Sequence, residues 1–141
     1  IQNYIKDKVV LDLFAGSGNL GIEALSNGAK FCYFVDNNKI AINTINKNLT
    51  GIENNQVVQS DCFEALYYFK NKNIKFDLIF LDPPYHDNLM NDVLKKIYEY
   101  DLLNKDGIIV CEYEDNNFIC DYTLYKNKKY GNKFINIYKK A

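Results

Sequence analysis

Short apolar runs alternate with stretches of helical period along this chain. Residues 9–13, 31–35, 56–60 and 107–111 read as strands, and so do residues 78–81, entered through Phe76 and Asp77. The unbroken apolar run Leu78-Ile79-Phe80-Leu81 is that of a strand covered on both faces. Between the strands, Leu20, Ala24 and Leu25 predict a helix over residues 20–27 that Gly28 stops. Ile40, Ile42, Ile45 and Leu49 predict a second, ending at Gly51. Residues 64–69 suggest a short third, and Leu89, Val93, Ile97 and Tyr98 a fourth. Residues 122–129 and 133–138 flank the turn signal Tyr130-Gly131-Asn132 and read as an antiparallel hairpin closing an edge. Strands separated by helical stretches predict an α/β, doubly wound, mainly parallel sheet, with ligands at the carboxyl ends of its strands. With no internal repeat or low-complexity tract, residues 1–141 read as one domain.

Composition narrows the class. Apolar residues make up 48% of the 141 and charged residues 25%, which fits a soluble globular protein. No apolar run approaches the ~18 residues of a membrane span, so no membrane partner is expected. The N-terminus carries no signal-peptide pattern, and since it lacks Met it suggests a piece of a longer protein. Cys32, Cys62, Cys111 and Cys120 form no C-x-x-C pair, and His86 is the single histidine. Free thiols in a reducing cytoplasm are therefore expected, with no metal site. Charge is uneven. Residues 122–141 carry six lysines and no acid, against eleven lysines and eighteen acids before them. A basic segment on an acidic body suits an anionic partner, with a solvated lysine-rich edge as the plainer alternative. The chain has no arginine, so bidentate guanidinium recognition of phosphate or guanine is absent from it.

The first predicted strand leads into Gly16-Ser17-Gly18-Asn19-Leu20-Gly21, which satisfies G-x-G-x-x-G in its required strand-to-helix context. Glycines there let the backbone approach a nucleotide, and a helix start favours polar or anionic groups. Asp36, 18 residues past Gly18 at the end of the second strand, can accept both ribose hydroxyls. The alternative is a glycine turn with a capping Asp36. NAD and S-adenosylmethionine both fit this much. Asp12, inside the first strand, favours the second, because a carboxylate there can pair with an ammonium group directly or through water. Asp61 ends the third strand and can accept from an adenine amine, with the Cys62 and Phe63 backbone serving the ring nitrogens. Equally, it can cap the helix beginning near Phe63.

Asp82-Pro83-Pro84-Tyr85 ends the fourth strand. Two prolines force the chain into a loop and hold Asp82 and Pro83 extended. A carboxylate or carbonyl fixed at a strand end before an aromatic face suits a flat heterocycle with an exocyclic amine. The alternative is a rigid turn. His86 reads as a loop residue beside it.

Together, Val10-Leu11-Asp12-Leu13-Phe14-Ala15-Gly16-Ser17-Gly18, Asp36, Asp61 and Asp82-Pro83-Pro84-Tyr85 resemble the class I S-adenosylmethionine-dependent methyltransferases. Residues 18–29 and Lys128-Lys129-Tyr130-Gly131 narrow the resemblance to the RsmD family, the small-subunit ribosomal RNA guanine-N2 methyltransferases, over nearly the whole chain. The resemblance implies a Rossmann-like class I methyltransferase fold: a seven-stranded, mainly parallel sheet with a C-terminal antiparallel hairpin and helices on both faces. It implies catalytic roles for Asp82, Pro83, Pro84 and Tyr85. It implies cofactor contacts from Asp12, Phe14, Gly16, Gly18, Asn19, Asp36, Asn37, Asp61, Cys62 and Phe63, with S-adenosylhomocysteine as product and no metal. The implied partner is ribosomal RNA or the assembling 30S subunit, in the cytoplasm, with Lys126, Lys128, Lys129 and Lys133 as RNA contacts on a monomeric enzyme. The family's basic N-terminal hairpin is missing, residues 1–5 resembling the end of the helix that follows it. These 141 residues are therefore expected to bind cofactor yet methylate weakly. Asp36 stands where the family often has Glu, and Asn132-Lys133 where an acid or threonine is usual. An adenine-N6 methyltransferase on DNA or RNA is the near alternative. An NAD-binding oxidoreductase domain and a binding module without turnover are more distant ones.

Overall fold

Seven strands hydrogen-bond into one sheet in the computed structural model, which describes residues 2–83, 89–113, 121–130 and 133–140. The strands are β1 (Val9–Asp12), β2 (Phe31–Asp36), β3 (Asn55–Gln59), β4 (Phe76–Leu81), β5 (Leu103–Tyr113), β6 (Thr123–Tyr130) and β7 (Lys133–Lys139). Their order across the sheet is β3-β2-β1-β4-β5-β7-β6. Strands β1 to β5 pair in parallel, while β7 runs antiparallel to both neighbours. The strand order runs outward from β1 to both sides, so a topological switch point falls between the carboxyl ends of β1 and β4, with that of β2 beside them, where such sheets bind ligands.

The helices are α1 (Gln2–Ile5), α2 (Asn19–Ser26), α3 (Lys39–Asn48), α4 (Cys62–Asn71) and α5 (Leu89–Glu99). One core layer packs α4 and α5 on the sheet through Leu66, Phe69, Val93 and Ile97. The other packs α2 and α3 on the opposite face through Ala24, Ile42 and Ile45. Phe80 and Leu81 divide between the two layers, which is why the end of β4 is apolar without alternation.

Gly28, after α2, sits at φ +97°, the left-handed geometry of a helix stop. Ile40 departs from expectation: it lies on α3 but is 76% exposed, and Ile42, Ile45 and Leu49 alone fill the core stripe. Strand β3 has no fully buried residue because it is an edge, which explains its weak pattern. Strand β5 begins four residues before the expected Gly107. The pairing shifts register between Phe76 and Leu78, and the polar stretch Asn104-Lys105-Asp106 hides that extension from a hydrophobic pattern.

A polar lock closes the amino end of the sheet, opposite the switch point. Asp77 accepts from the Val9 N–H at 2.9 Å and from Asn104 Nδ2 at 3.1 Å. The Tyr4 hydroxyl reaches the Asp77 and Asp106 carbonyls at 2.9 and 2.8 Å, tying α1 beneath β4 and β5. Burial first, then the charges of Asp77 and Asp106, push the Tyr4 hydroxyl up to about 12, so it stays a donor.

Candidate active site

The turn after β1 is pinned on both sides. The Leu13 N–H donates to the Phe80 carbonyl at 3.3 Å and the Ala15 N–H to the Val35 carbonyl at 2.9 Å. Gly16 and Gly18 both take left-handed φ, +58° and +83°. A Cβ added at Gly16 would meet nothing within 4 Å, so the turn offers bare backbone to open space. That is the cradle a nucleoside-bearing cofactor requires. From the far side, Asn48 Nδ2 donates to the Ser17 carbonyl at 2.9 Å and braces the loop. Asn19 opens α2 and is exposed, as is Asn37, while Phe14 is half-buried against the larger core layer.

Asp36 ends β2 with both oxygens engaged by backbone: Oδ2 accepts from the Gly16 N–H at 3.0 Å and Oδ1 from the Asn38 N–H at 2.9 Å. It thus locks the glycine turn to the second strand. It does not cap α3. Asn38 does so, its Oδ1 accepting from Ile40 and Ala41 N–H at 2.8 and 3.1 Å. An Asn directly before an apolar helical period is the signal for that cap, which the more prominent acid two residues earlier obscures.

Asp12 is 2% exposed and lies beneath the turn. Gly18 stands at the N-cap of α2, and its missing side chain leaves the helix without a cap of its own. Asp12 supplies one from β1: its Oδ2 accepts from the Gly21 N–H at 3.2 Å, where the helix dipole favours an anion. Burial nonetheless lifts the Asp12 carboxyl to about 7; the Gly21 N–H opposes the rise, and the negative charges of Asp82 and Asp36 add to it.

A consequence for stability follows from that sign. Between about pH 4 and pH 7 the unfolded chain has released the Asp12 proton while the folded protein retains it. This one group therefore makes stability fall as pH rises through that window, levelling above about 7. Asp12→Asn should lose this component. Denaturant titrations of wild type and variant from acid to alkaline pH check it, and a difference between them that does not grow with pH would refute it.

Asp61 caps α4, its Oδ1 accepting from the Phe63 and Glu64 N–H at 2.8 and 3.3 Å. The capping alternative is therefore realised, and the Phe63 N–H is committed to it. Cys62, the first residue of α4, is 8% exposed. Burial and the Asp61 charge push its thiol up to about 11, so it is a protonated packing group and no nucleophile. The buried Cys32 thiol is likewise raised, by burial first and then by Asp12.

Asp82 directly follows β4 and is exposed, with Pro83 half-buried beside it. Pro84, Tyr85 and His86 lie outside the described residues, as do Gly131 and Asn132. Asp12, Asp36 and Asp82 thus gather at the carboxyl ends of three adjacent strands, close enough that two of them shift the third. Asp61 stands after β3, beyond Asp36. The Asp36 and Asp82 carboxylates beside an open glycine turn favour a ligand carrying positive charge. Among the described residues no three His, Cys, Asp or Glu side chains are grouped to hold a metal ion. No helix among them is long and apolar enough to cross a membrane.

Comparison with known proteins bears on this arrangement. The family described as conserved hypothetical protein 95 matches residues 1–139. Bacillus subtilis YlbH is 41% identical over 137 residues, covering 92% of this chain and 74% of that protein. Ribosomal RNA small subunit methyltransferase D of Haemophilus influenzae is 34% identical over 138 residues, covering 93% of this chain and 71% of that protein. Among solved structures, a conserved hypothetical protein from Streptococcus pyogenes superposes with a TM-score of 0.86 at 29% identity, over 96% of this chain and 88% of that one. With the family match running over residues 1–139, nearly the whole sheet and its carboxyl-end site, the chain belongs to the conserved hypothetical protein 95 group, the RsmD family.

Proposed function

We propose that this protein uses S-adenosylmethionine to methylate the exocyclic N2 amine of a guanine in small-subunit ribosomal RNA. The observation that carries the reading is the pair of strand-end carboxylates, Asp36 and Asp82, beside the open Gly16 turn, with Asp12 buried beneath it. Family membership supports it, since relatives at 28–35% identity bear the name ribosomal RNA small subunit methyltransferase D.

The cofactor supplies a methyl group on a positively charged sulfur. Gly16 and Gly18 would cradle it, Asp36 would meet its ribose hydroxyls, and Asp61 would meet its adenine amine. The rest of the chemistry is positioning. An aromatic exocyclic amine is a weak nucleophile because its lone pair is delocalised into the ring. The Asp82 carboxylate and the Pro83 carbonyl each accept one N–H of that amine, turning its lone pair towards the methyl group. They also stabilise the positive charge that develops on nitrogen. Tyr85 would stack on the base, worth ~1–3 kcal/mol. In structured RNA the base is splayed out to reach the site. Lys126, Lys128, Lys129 and Lys133 would contact the RNA backbone.

The test is incubation of the full-length protein with labelled cofactor and hypomethylated 30S particles, free ribosomal RNA or DNA. Nucleoside digestion of the product follows. Label in N2-methylguanosine supports the reading, and label only in DNA sinks it. The adenine-N6 alternative rests on the same Asp82-Pro83 pair, which accepts from either amine, and it would appear as N6-methyladenosine.

Asp61 offers a separate check on the cofactor assignment. Asp61→Ser keeps a helix cap, so its melting temperature should match wild type, whereas Asp61→Ala should lose ~0.5–2 kcal/mol. Calorimetry with S-adenosylhomocysteine should find both weakened. Full affinity in Asp61→Ser would leave Asp61 with capping alone.

A further inference from the structure

The outer edge of the sheet carries a feature the site does not use. In β6, Leu124 pairs with Tyr138 and Lys126 with Ile137, so Tyr125 is an extra residue, a β-bulge. A bulge breaks the alternation of a strand and re-aims a side chain. Tyr125 is 56% exposed, and both Lys126 and Lys139 place their ammonium nitrogens over its ring, 5.7 and 4.8 Å from the centroid. Every residue from 123 to 129 is exposed, and no acidic residue occurs from 122 to 141. None of the ion pairs among the described residues engages Lys126 or Lys139. The edge is therefore a lysine track with one aromatic plane in it.

Register places that plane relative to the site. Tyr125 lies level with Ile109 and Val110 of β5, hence with Ile79 and Phe80 of β4, just below Asp82. Three strand spacings separate β6 from β4, about 14 Å. A few nucleotides of extended strand would span that separation.

We propose that Tyr125 is a stacking platform for an unpaired base of the RNA near the target nucleotide, with Lys126 and Lys139 taking the adjoining phosphates. An exposed aromatic flanked by ammonium groups fits single-stranded nucleic acid, where stacking and charge act together without sequence readout. This proposal rests on the RNA reading given above and names a second contact for the same substrate.

These 141 residues contain no tryptophan, so Tyr125→Trp adds an indole at the platform whose emission is read as the difference from wild type. In the full-length protein its emission should be quenched by hypomethylated 30S particles and by short unpaired RNA. Tyr125→Ala should weaken RNA binding by about 5- to 100-fold, with S-adenosylhomocysteine affinity and melting temperature unchanged, while Tyr125→Phe should bind as wild type. Lys126→Gln and Lys139→Gln should each lower the salt slope of single-strand binding by about 0.7. Unquenched emission together with wild-type RNA affinity in Tyr125→Ala would overturn the platform alone. Equal quenching by duplex RNA would overturn its preference for unpaired bases. A wild-type protein that binds no RNA would overturn both this proposal and the function it rests on.

Discussion

Asp82→Ala lowers the single-turnover rate of methyl transfer by about 10²–10³-fold, the cost of one well-placed partner for developing charge. The same variant keeps its affinity for S-adenosylhomocysteine within a small factor, because the glycine turn and Asp36 are untouched. It also changes Asp12. With the Asp82 charge gone, the Asp12 carboxyl titrates lower than in wild type. Asp82→Asn retains one acceptor oxygen but adds an N–H donor aimed at an amine that is itself a donor, so it should recover little. Rates measured at saturating cofactor separate chemistry from binding. Turnover at the wild-type rate in Asp82→Ala would remove Asp82 from the reaction and leave the Pro83 carbonyl as the acceptor.

Gly21→Ala should lower the melting temperature by several degrees, up to roughly 10 °C. The expectation runs against helix propensity, since alanine in place of glycine ordinarily favours a helix by ~0.5–1 kcal/mol. Packing reverses the sign. A Cβ at Gly21 would sit 2.4 Å from Phe34 Cε2 and 2.8 Å from both Phe34 Cζ and Cys32 Sγ. Phe34 and Cys32 are 0% exposed, so neither can swing away. Helix α2 must therefore lift from β2, at an overpacking cost of ~1–3 kcal/mol that exceeds the propensity gain. Lifting the helix also stretches the Asp12 to Gly21 hydrogen bond, so cofactor affinity should fall with stability. Phe34→Leu in the Gly21→Ala background should restore part of both. An unchanged melting temperature would mean that α2 does not rest on β2 as closely as described.

Gly21 also illustrates where the sequence was legible and where it was not. The six-residue glycine pattern placed the turn correctly between strand and helix, because strand, turn and helix are contiguous there. The pattern does not say that its glycines differ: Gly16 faces open space, while Gly21 faces a phenylalanine ring on another strand. The alternating apolar runs similarly located β1, β2 and β4, whose burial is set by their own residues. The front half of β5 was missed because it is held by register and by Asn104, and both depend on partners distant in the chain. The lock of Tyr4 on Asp77 and Asp106 was likewise invisible, spanning separations of 73 and 102 residues. At the candidate site, Asp36, Asp61 and Asp82 are legible as strand-end acids, and Asp12 as an acid inside the first strand that the structure places at the end of β1. Their local duties were less evident, since an acid that receives backbone N–H groups looks the same in sequence as one awaiting a ligand. Asp61 proved to cap its helix, and Asp36 left that task to Asn38. The Tyr125 bulge carried no pattern at all, because one inserted residue in an exposed strand leaves no apolar period to break.

The position of β7 bears on how the molecule is assembled. It follows β6 in the chain yet lies between β6 and β5. While a ribosome is still emitting β7, the strands that build the glycine turn and carry the site carboxylates can already pair, whereas β5 waits with its outer N–H and C=O groups unmatched. That interval exposes Ile108-Ile109-Val110-Cys111 as an apolar pairing template for other chains. Until β7 docks, that border is adhesive, so the hairpin acts as the sheet's closing guard against aggregation.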